Sequence, residues 1–212
     1  MLFDPKQLTQ KENYKLMIGS VLPRPIAFVT SMNQDGIVNA APFSFYTAVS
    51  TNPPMIGFTV NRKPGNVQKD TAQNIQLNHE FVVHVVDETN VTMVNETATE
   101  FPSDVSEVEA AGFTLAPSEV VKVPRIRESK VQLECKLHQI IPMGGTTDAP
   151  NSDFIVGEIV QFHVQDDLLM DGKINTDQLQ PVGRLAGLYY GNIGEKYAMP
   201  RKSYEAWKEE KK

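Results

Sequence analysis

The 212-residue sequence holds one cysteine, one tryptophan and four histidines, and each scarcity removes a class of protein. A lone thiol can neither close an internal disulfide nor build a cysteine-cluster metal site, so Cys135 points to a reducing compartment. It lies in a β-like run, where a small buried thiol packs as an apolar side chain rather than acting as a nucleophile. No apolar run approaches the ~20 residues that a membrane span needs. The start, Met1-Leu2-Phe3-Asp4-Pro5-Lys6-Gln7, lacks the basic and apolar segments of a signal peptide, so the expected location is cytoplasmic, away from membranes. Positive charge is short as well: 20 Lys and Arg against 26 Asp and Glu leave a formal net charge of -6. Nucleic acid calls for a basic face, and it is not an expected partner. The chain also lacks a persuasive catalytic triad, a metal-ligand cluster and a Gly-x-Gly-x-x-Gly fingerprint, so no catalytic side chain and no metal ligand is assigned.

What is present is patterned for strands. Ile26–Ser31, Ile37–Asn39, Met55–Val60, Phe81–Val86, Val131–Ile141 and Asp153–Val164 are rich in β-branched and aromatic residues and bounded by turn signals such as Asn33-Gln34-Asp35-Gly36. Asn13–Gly19 has weak helical character, and Thr89–Glu100 and Val105–Gly112 read as two helices of an insert over about 89–112. Its acidic residues, Glu96, Glu100, Asp104, Glu107 and Glu109, are expected on a solvated face. A charged tail covers about 200–212. A strand series with helices inserted before its last two strands is mainly β (α+β), a single domain over 1–212, and favours a barrel over a doubly wound sheet. His84, one polar residue in an apolar strand, reads as a hydrogen-bonded structural residue.

Two stretches suit a ligand. From Asn39 to Thr51, small and hydroxylated residues (Ala40, Ala41, Ser44, Thr47, Ser50) alternate with Phe43, Phe45 and Tyr46, and Pro42, lacking an N–H, interrupts regular ladder pairing. Free backbone donors beside flat apolar surfaces fit a planar, polar-edged ligand. The same composition also makes ordinary strand ends and turns. Further on, Lys69-Asp70-Thr71 opens a short helix with Asp70 as its expected N-cap, and Arg62 lies nearby in sequence. N–H groups, helix dipole and cations there favour a phosphate, although a capped surface helix with solvated charges has the same pattern.

Taken together, Pro23-Arg24-Pro25-Ile26-Ala27, Asp35-Gly36 with Asn39-Ala40-Ala41-Pro42-Phe43-Ser44, Asn52-Pro53-Pro54, Lys69-Asp70-Thr71 with Asn74-Ile75, Glu80-Phe81-Val82-Val83, and Gly183-Arg184 with Tyr190 resemble the flavin reductase-like, flavoredoxin-type FMN-binding proteins over almost the whole chain. The resemblance implies a Greek-key split β-barrel that binds FMN non-covalently as a homodimer, with flavin near the subunit interface. It implies that Thr30, Ser31 and the segment Asn39, Ala40, Ala41, Pro42, Phe43 and Ser44 lie along the isoalloxazine and ribityl groups. Arg62, Lys69 and Thr71 would serve the phosphate, joined by Arg24, and Asp70 is also among the implied cofactor-binding residues. The implied activity is NAD(P)H-dependent flavin reduction, and the alternative is an electron-transfer protein reduced by a redox partner. One departure bears on that choice: where flavin reductases of two-component monooxygenases carry Gly-Asp-His, this chain has Ser152-Asp153-Phe154.

Overall fold

The computed structural model describes residues 1–211, and its first helix follows from local chemistry. α1 (Gln10–Ser20) starts at a capping box in which the Glu12 N–H donates to the Thr9 hydroxyl and the Thr9 N–H donates to the Glu12 carboxylate. Thr9-x-x-Glu12 therefore begins the helix three residues before the Asn13–Gly19 stretch. The chain then runs through β1 (Ala27–Met32), β2 (Val38–Phe43), β3 (Tyr46–Thr51), β4 (Pro54–Asn61), α2 (Asp70–Asn78) and β5 (Glu80–Val85). After α3 (Val91–Glu96), α4 (Glu107–Ala110) and the two-residue pair β6 (Leu115–Ala116) and β7 (Arg125–Ile126) come the long strands β8 (Val131–Met143) and β9 (Ser152–Val164). A hairpin of Val182–Arg184 with Tyr190–Asn192 and an exposed helix, Tyr204–Glu209, lie near the end.

Seven strands form one antiparallel sheet in the order β2-β1-β5-β8-β9-β4-β3. Its two edge strands, β2 and β3, are consecutive in the chain and joined only by Ser44 and Phe45. The sheet must therefore curl until its edges nearly meet. The interior shows the same: Phe43 of β2 lies 5.3 Å, centroid to centroid, from Phe58 of β4, and Phe58 lies 5.6 Å from Phe81 of β5, although these strands are not neighbours in the sheet. Burying the Phe58 and Phe81 side chains, both fully enclosed, contributes roughly 1.5–3 kcal/mol each. Gly157 of β9 makes room for them, since a Cβ there would stand 2.3 Å from the Phe81 ring.

A second apolar cluster covers the outer face of β1 and β2, where Phe28, Val38 and Ala40 pack against Val94 of α3, Val108 of α4, Phe113 and Ile126. β1 is buried on both faces, which explains its consecutive apolar residues Ala27, Phe28 and Val29. The insert is less helical than its sequence suggests. Residues 97–106 turn instead, because Pro102 fixes its φ and the Thr, Ser and Asp side chains around it compete for the backbone.

Pro42 does not end its strand. β2 continues through it to Phe43 and pairs Pro42 with Phe28. The Ala40 N–H and Val38 C=O point away from β1, to Glu107 and Ser106 respectively. Pro42 shares their parity, so the N–H it lacks would have faced the open edge of the sheet.

Candidate functional site

The N-terminus of α2 is the centre of the site. Lys69, not Asp70, occupies the N-cap, with extended backbone (φ -76, ψ 157) and no side-chain cap bond. Asp70 is the first helical residue, its carboxylate 3.7 Å from the Lys63 ammonium. Short of the first completed turn, the N–H groups of Asp70 and Thr71 make no hydrogen bond within the described residues. The Lys69 ammonium makes no ion pair or hydrogen bond among them either.

These groups border a cleft of about 190 Å³. Asn39, Ala41, Pro42 and Phe43 of β2 form one wall, Lys63, Lys69, Asp70 and Thr71 the second, and the turn Thr97–Phe101 with Glu107 the third. A neighbouring cleft of about 270 Å³ meets the first at Asn39, Asp70 and Glu107 and opens toward the β1–β2 turn. The sequence-predicted residues Asn39, Ala41, Pro42, Phe43, Lys69, Asp70 and Thr71 thus come together around one opening.

Ser31 stands behind that wall. Its hydroxyl donates to Asn39 Oδ1 at 3.3 Å and accepts from Asn74 Nδ2 at 3.3 Å. The Ala40 N–H is taken by Glu107 at 3.1 Å, and Pro42 has none, which narrows the backbone donors that the Asn39–Ser44 stretch can offer a ligand. The other expected residues face elsewhere. The Thr30 hydroxyl donates to the Pro124 carbonyl at 2.8 Å, and Ser44 accepts from Arg24 Nε at 3.4 Å. Arg62 donates to both carboxylate oxygens of Asp153, at 2.9 and 2.6 Å, and to Asn66 at 3.0 Å. Its guanidinium is committed to β9 and does not line the cleft of Lys69; the next residue, Lys63, does. Arg24 is buried, and its Nη atoms donate to the carbonyls of Ile18, Val21 and Leu185, so it ties α1 to the late hairpin rather than joining a phosphate site.

Sequence reasoning missed Glu107. It is 7% exposed, not solvated, and its carboxylate accepts from Asn39 Nδ2 at 2.7 Å as well as from Ala40. Burial pushes its carboxyl above the ordinary range, against the opposing effect of those donors. No local pattern marks it, since its partners lie 67 and 68 residues away. Lys63 was within reach, because it shares a loop with Arg62 and strand alternation sends adjacent residues to opposite sides.

Other buried polar groups are structural. Burial lowers the pKa of His84 to about 4, so its neutral ring donates from Nδ1 to the Phe28 carbonyl and accepts the Ile126 N–H on Nε2. Burial would raise the Glu134 carboxyl. Donation from the Glu119, Val120 and Val121 N–H groups and from His163 Nε2 holds it below its usual range instead.

The curled antiparallel sheet thus carries a cation-lined cleft at its edge strand β2. Residues 18–187 match the model of the flavin reductase like domain, and the chain belongs to that family. An uncharacterized protein of Halalkalibacterium halodurans is 53% identical over 201 residues, covering 95% of this chain and 96% of that one. Among solved structures, nitrilotriacetate monooxygenase component B from Bacillus cereus superposes with a TM-score of 0.92 at 44% identity, over 94% of this chain and 98% of that one. The 2-nitrobenzoate 2-nitroreductase of Pseudomonas fluorescens superposes at 0.86 with 33% identity, over 96% and 98%. A flavoredoxin of Desulfovibrio vulgaris shares the fold, with a TM-score of 0.72 at 20% identity over 98% of this chain and 100% of that one. The fold is mostly β, and it is shared by a flavin reductase with a split barrel domain from Shewanella frigidimarina, at a TM-score of 0.81 and 20% identity over 95% of this chain and 100% of that one. Among the described residues, no helix is long and apolar enough to cross a membrane.

Proposed function

We propose that this chain binds FMN non-covalently and works as an oxidoreductase, reducing flavin at the expense of NAD(P)H. The observation that carries the proposal is the donor set of the cleft. Lys63, Lys69 and the N–H groups of Asp70 and Thr71 converge at one end, and the flat apolar surface of Pro42 and Phe43 lies along the adjacent wall. A flavin phosphate carries close to two negative charges, and cations with oriented N–H groups are the chemistry that compensates it. The residues present fit the group. Bound FMN supplies the hydride and electron chemistry itself. The protein's share is to hold the phosphate, shield the ring and fix its orientation.

Similarity to a monooxygenase component and to a nitroreductase supports a redox role for the site. The test is a visible spectrum of the purified protein, titration with FMN, FAD and riboflavin, then oxidation of NADH and NADPH with FMN present. Tight FMN binding with turnover is expected. Binding without turnover on either donor would remove the reductase activity and leave the flavin site standing.

One observation favours a second reading, an electron-transfer protein reduced by a redox partner. Where related reductases place a histidine, Phe154 follows Asp153, and Asp153 is occupied by its pair with Arg62. Flavin reduced by a protein donor and not by nicotinamides would establish that alternative.

The proposal extends to assembly. Residues 1–212 act as one Greek-key split-barrel domain, and two copies form a cytoplasmic homodimer. Exposed apolar residues support a covered surface: Leu188 is 87% exposed, Tyr197 81% and Met199 79%. Light scattering that gives the mass of one chain at micromolar concentration would refute the dimer.

A further inference from the structure

The polar wall of the cleft is one chain of hydrogen bonds with a single direction. Asn74 Nδ2 donates to Ser31 Oγ at 3.3 Å, Ser31 Oγ donates to Asn39 Oδ1 at 3.3 Å, and Thr71 Oγ1 donates to the same oxygen at 2.7 Å. Asn39 Nδ2 donates in turn to Glu107 Oε1 at 2.7 Å, while Glu107 Oε2 receives the Ala40 N–H at 3.1 Å. Each hydroxyl and amide side chain in this set can donate or accept, whereas an ionised carboxylate only accepts. Glu107 therefore sets the direction of the rest. Its carboxylate demands the NH2 side of the Asn39 amide, so the carbonyl side faces Thr71 and draws the Thr71 proton away from the cleft.

We propose that Glu107 is a positioning residue of the FMN site: by fixing the Asn39 amide it withholds the Thr71 hydroxyl proton from the phosphate. That end of the ligand is then left to Lys63, Lys69 and the backbone N–H groups of α2. The inference rests on the FMN reading above. It makes Glu107, carried by the insert, a determinant of how strongly the site prefers a phosphorylated flavin.

Replacing Glu107 with glutamine reverses the chain. The Ala40 N–H cannot turn round, so the amide oxygen of the new side chain must accept it, and the new NH2 then faces Asn39. Asn39 flips to present Oδ1, and its Nδ2 now points at Thr71 and Ser31. Thr71 becomes an acceptor, with its own O–H free to donate to an anion. Glu107→Gln also removes a negative charge, which favours FMN without any help from Thr71. The single substitution is therefore not diagnostic, but a cycle with Thr71→Val is.

The experiment measures dissociation constants for FMN and riboflavin at about pH 8, where the phosphate holds both charges. It uses flavin-free parent, E107Q, T71V and the double variant. The preference for FMN over riboflavin should rise about tenfold more on E107Q when residue 71 is Thr than when it is Val, the scale of one charge-assisted hydrogen bond. T71V alone should weaken both flavins in step. An equal shift in the two backgrounds, or an equal loss of both flavins in E107Q, would overturn the proposal. If E107Q does not fold, T71V decides: a selective loss of FMN would mean that the Thr71 proton already serves the phosphate. A parent that binds neither flavin defeats the FMN reading and this inference together, whereas a parent that binds FMN with no coupling in the cycle defeats this inference alone.

Discussion

Replacing Lys69 with alanine separates a phosphate site from an ordinary helix start. In the structure the Lys69 ammonium has no partner, while Lys63 is held 3.7 Å from Asp70. Truncation therefore strands no buried charge and should leave folding stability within about 0.5 kcal/mol of the parent. The affinity for a phosphate is another matter. A hydrogen bond to a charged group contributes roughly 1.5–3 kcal/mol. Lys69 is half-buried and Lys63 remains beside it, so the lower end applies, about 1.5 kcal/mol or roughly a tenfold rise in Kd for FMN. Riboflavin, identical except for the phosphate, should change by less than about twofold. The difference should shrink as salt is added, because a half-exposed ammonium is screened within about 10 Å at 0.1 M ionic strength. Fluorescence titration of both flavins, at low and high salt, reads all of this. Equal losses for the two flavins, or a difference indifferent to salt, would place Lys69 away from the phosphate and take the donor-set argument with it.

Asn39→Ala should weaken both flavins, since Asn39 organises the wall through Glu107, Thr71 and Ser31, and FMN less than riboflavin, because the freed Thr71 hydroxyl can then donate to the phosphate; unchanged titrations for both would remove it from the site. Asp153→Asn breaks the bidentate pair with Arg62, whose side chain is only 15% exposed, at a cost of about 3 kcal/mol. Calorimetry should then show a Tm lower by roughly 6–12 °C, and a negligible shift would deny the pair its structural weight. Glu134 sets an acid limit. Its folded-state pKa lies below the ordinary carboxylate value, so its contribution is present above that value and is lost as pH falls through the depressed one. Glu134→Gln should flatten the fall of urea midpoints as pH drops below the ordinary carboxylate range, about 4.3, and an undiminished fall in that variant would assign the acid sensitivity to other groups.

The strands with regular alternation and the Lys69-Asp70-Thr71 helix start were legible because their causes are local: β-branched residues, turn signals, a polar residue ahead of a helical pattern. The boundaries were less so. β3 was hidden because Tyr46–Thr51 is rich in hydroxyls, and its pairing with β4 rather than its own composition makes it a strand. Pro42 looked like a break, since nothing in the chain says that its missing N–H faces an open edge. Arg62 and Lys63 are adjacent cations of the same loop, and Asp153, 91 residues away, decides which of them leaves the cleft. Glu107 was misplaced on a solvated face for the same reason: its burial depends on the insert folding back over β2, a long-range event that charge patterning along one helix does not encode.

The covering of β2 also governs how this protein would fail. Unpaired strand edges recruit other chains, and here one short segment, Ser106 with Glu107, supplies both hydrogen-bonding partners on the outer side of β2, with Pro42 blunting the next position. A change that loosens α4 would bare that edge while the aromatic interior stays packed. Its first symptom would be clumping of otherwise folded molecules, so soluble yield rather than melting temperature is the quantity that follows the health of the insert.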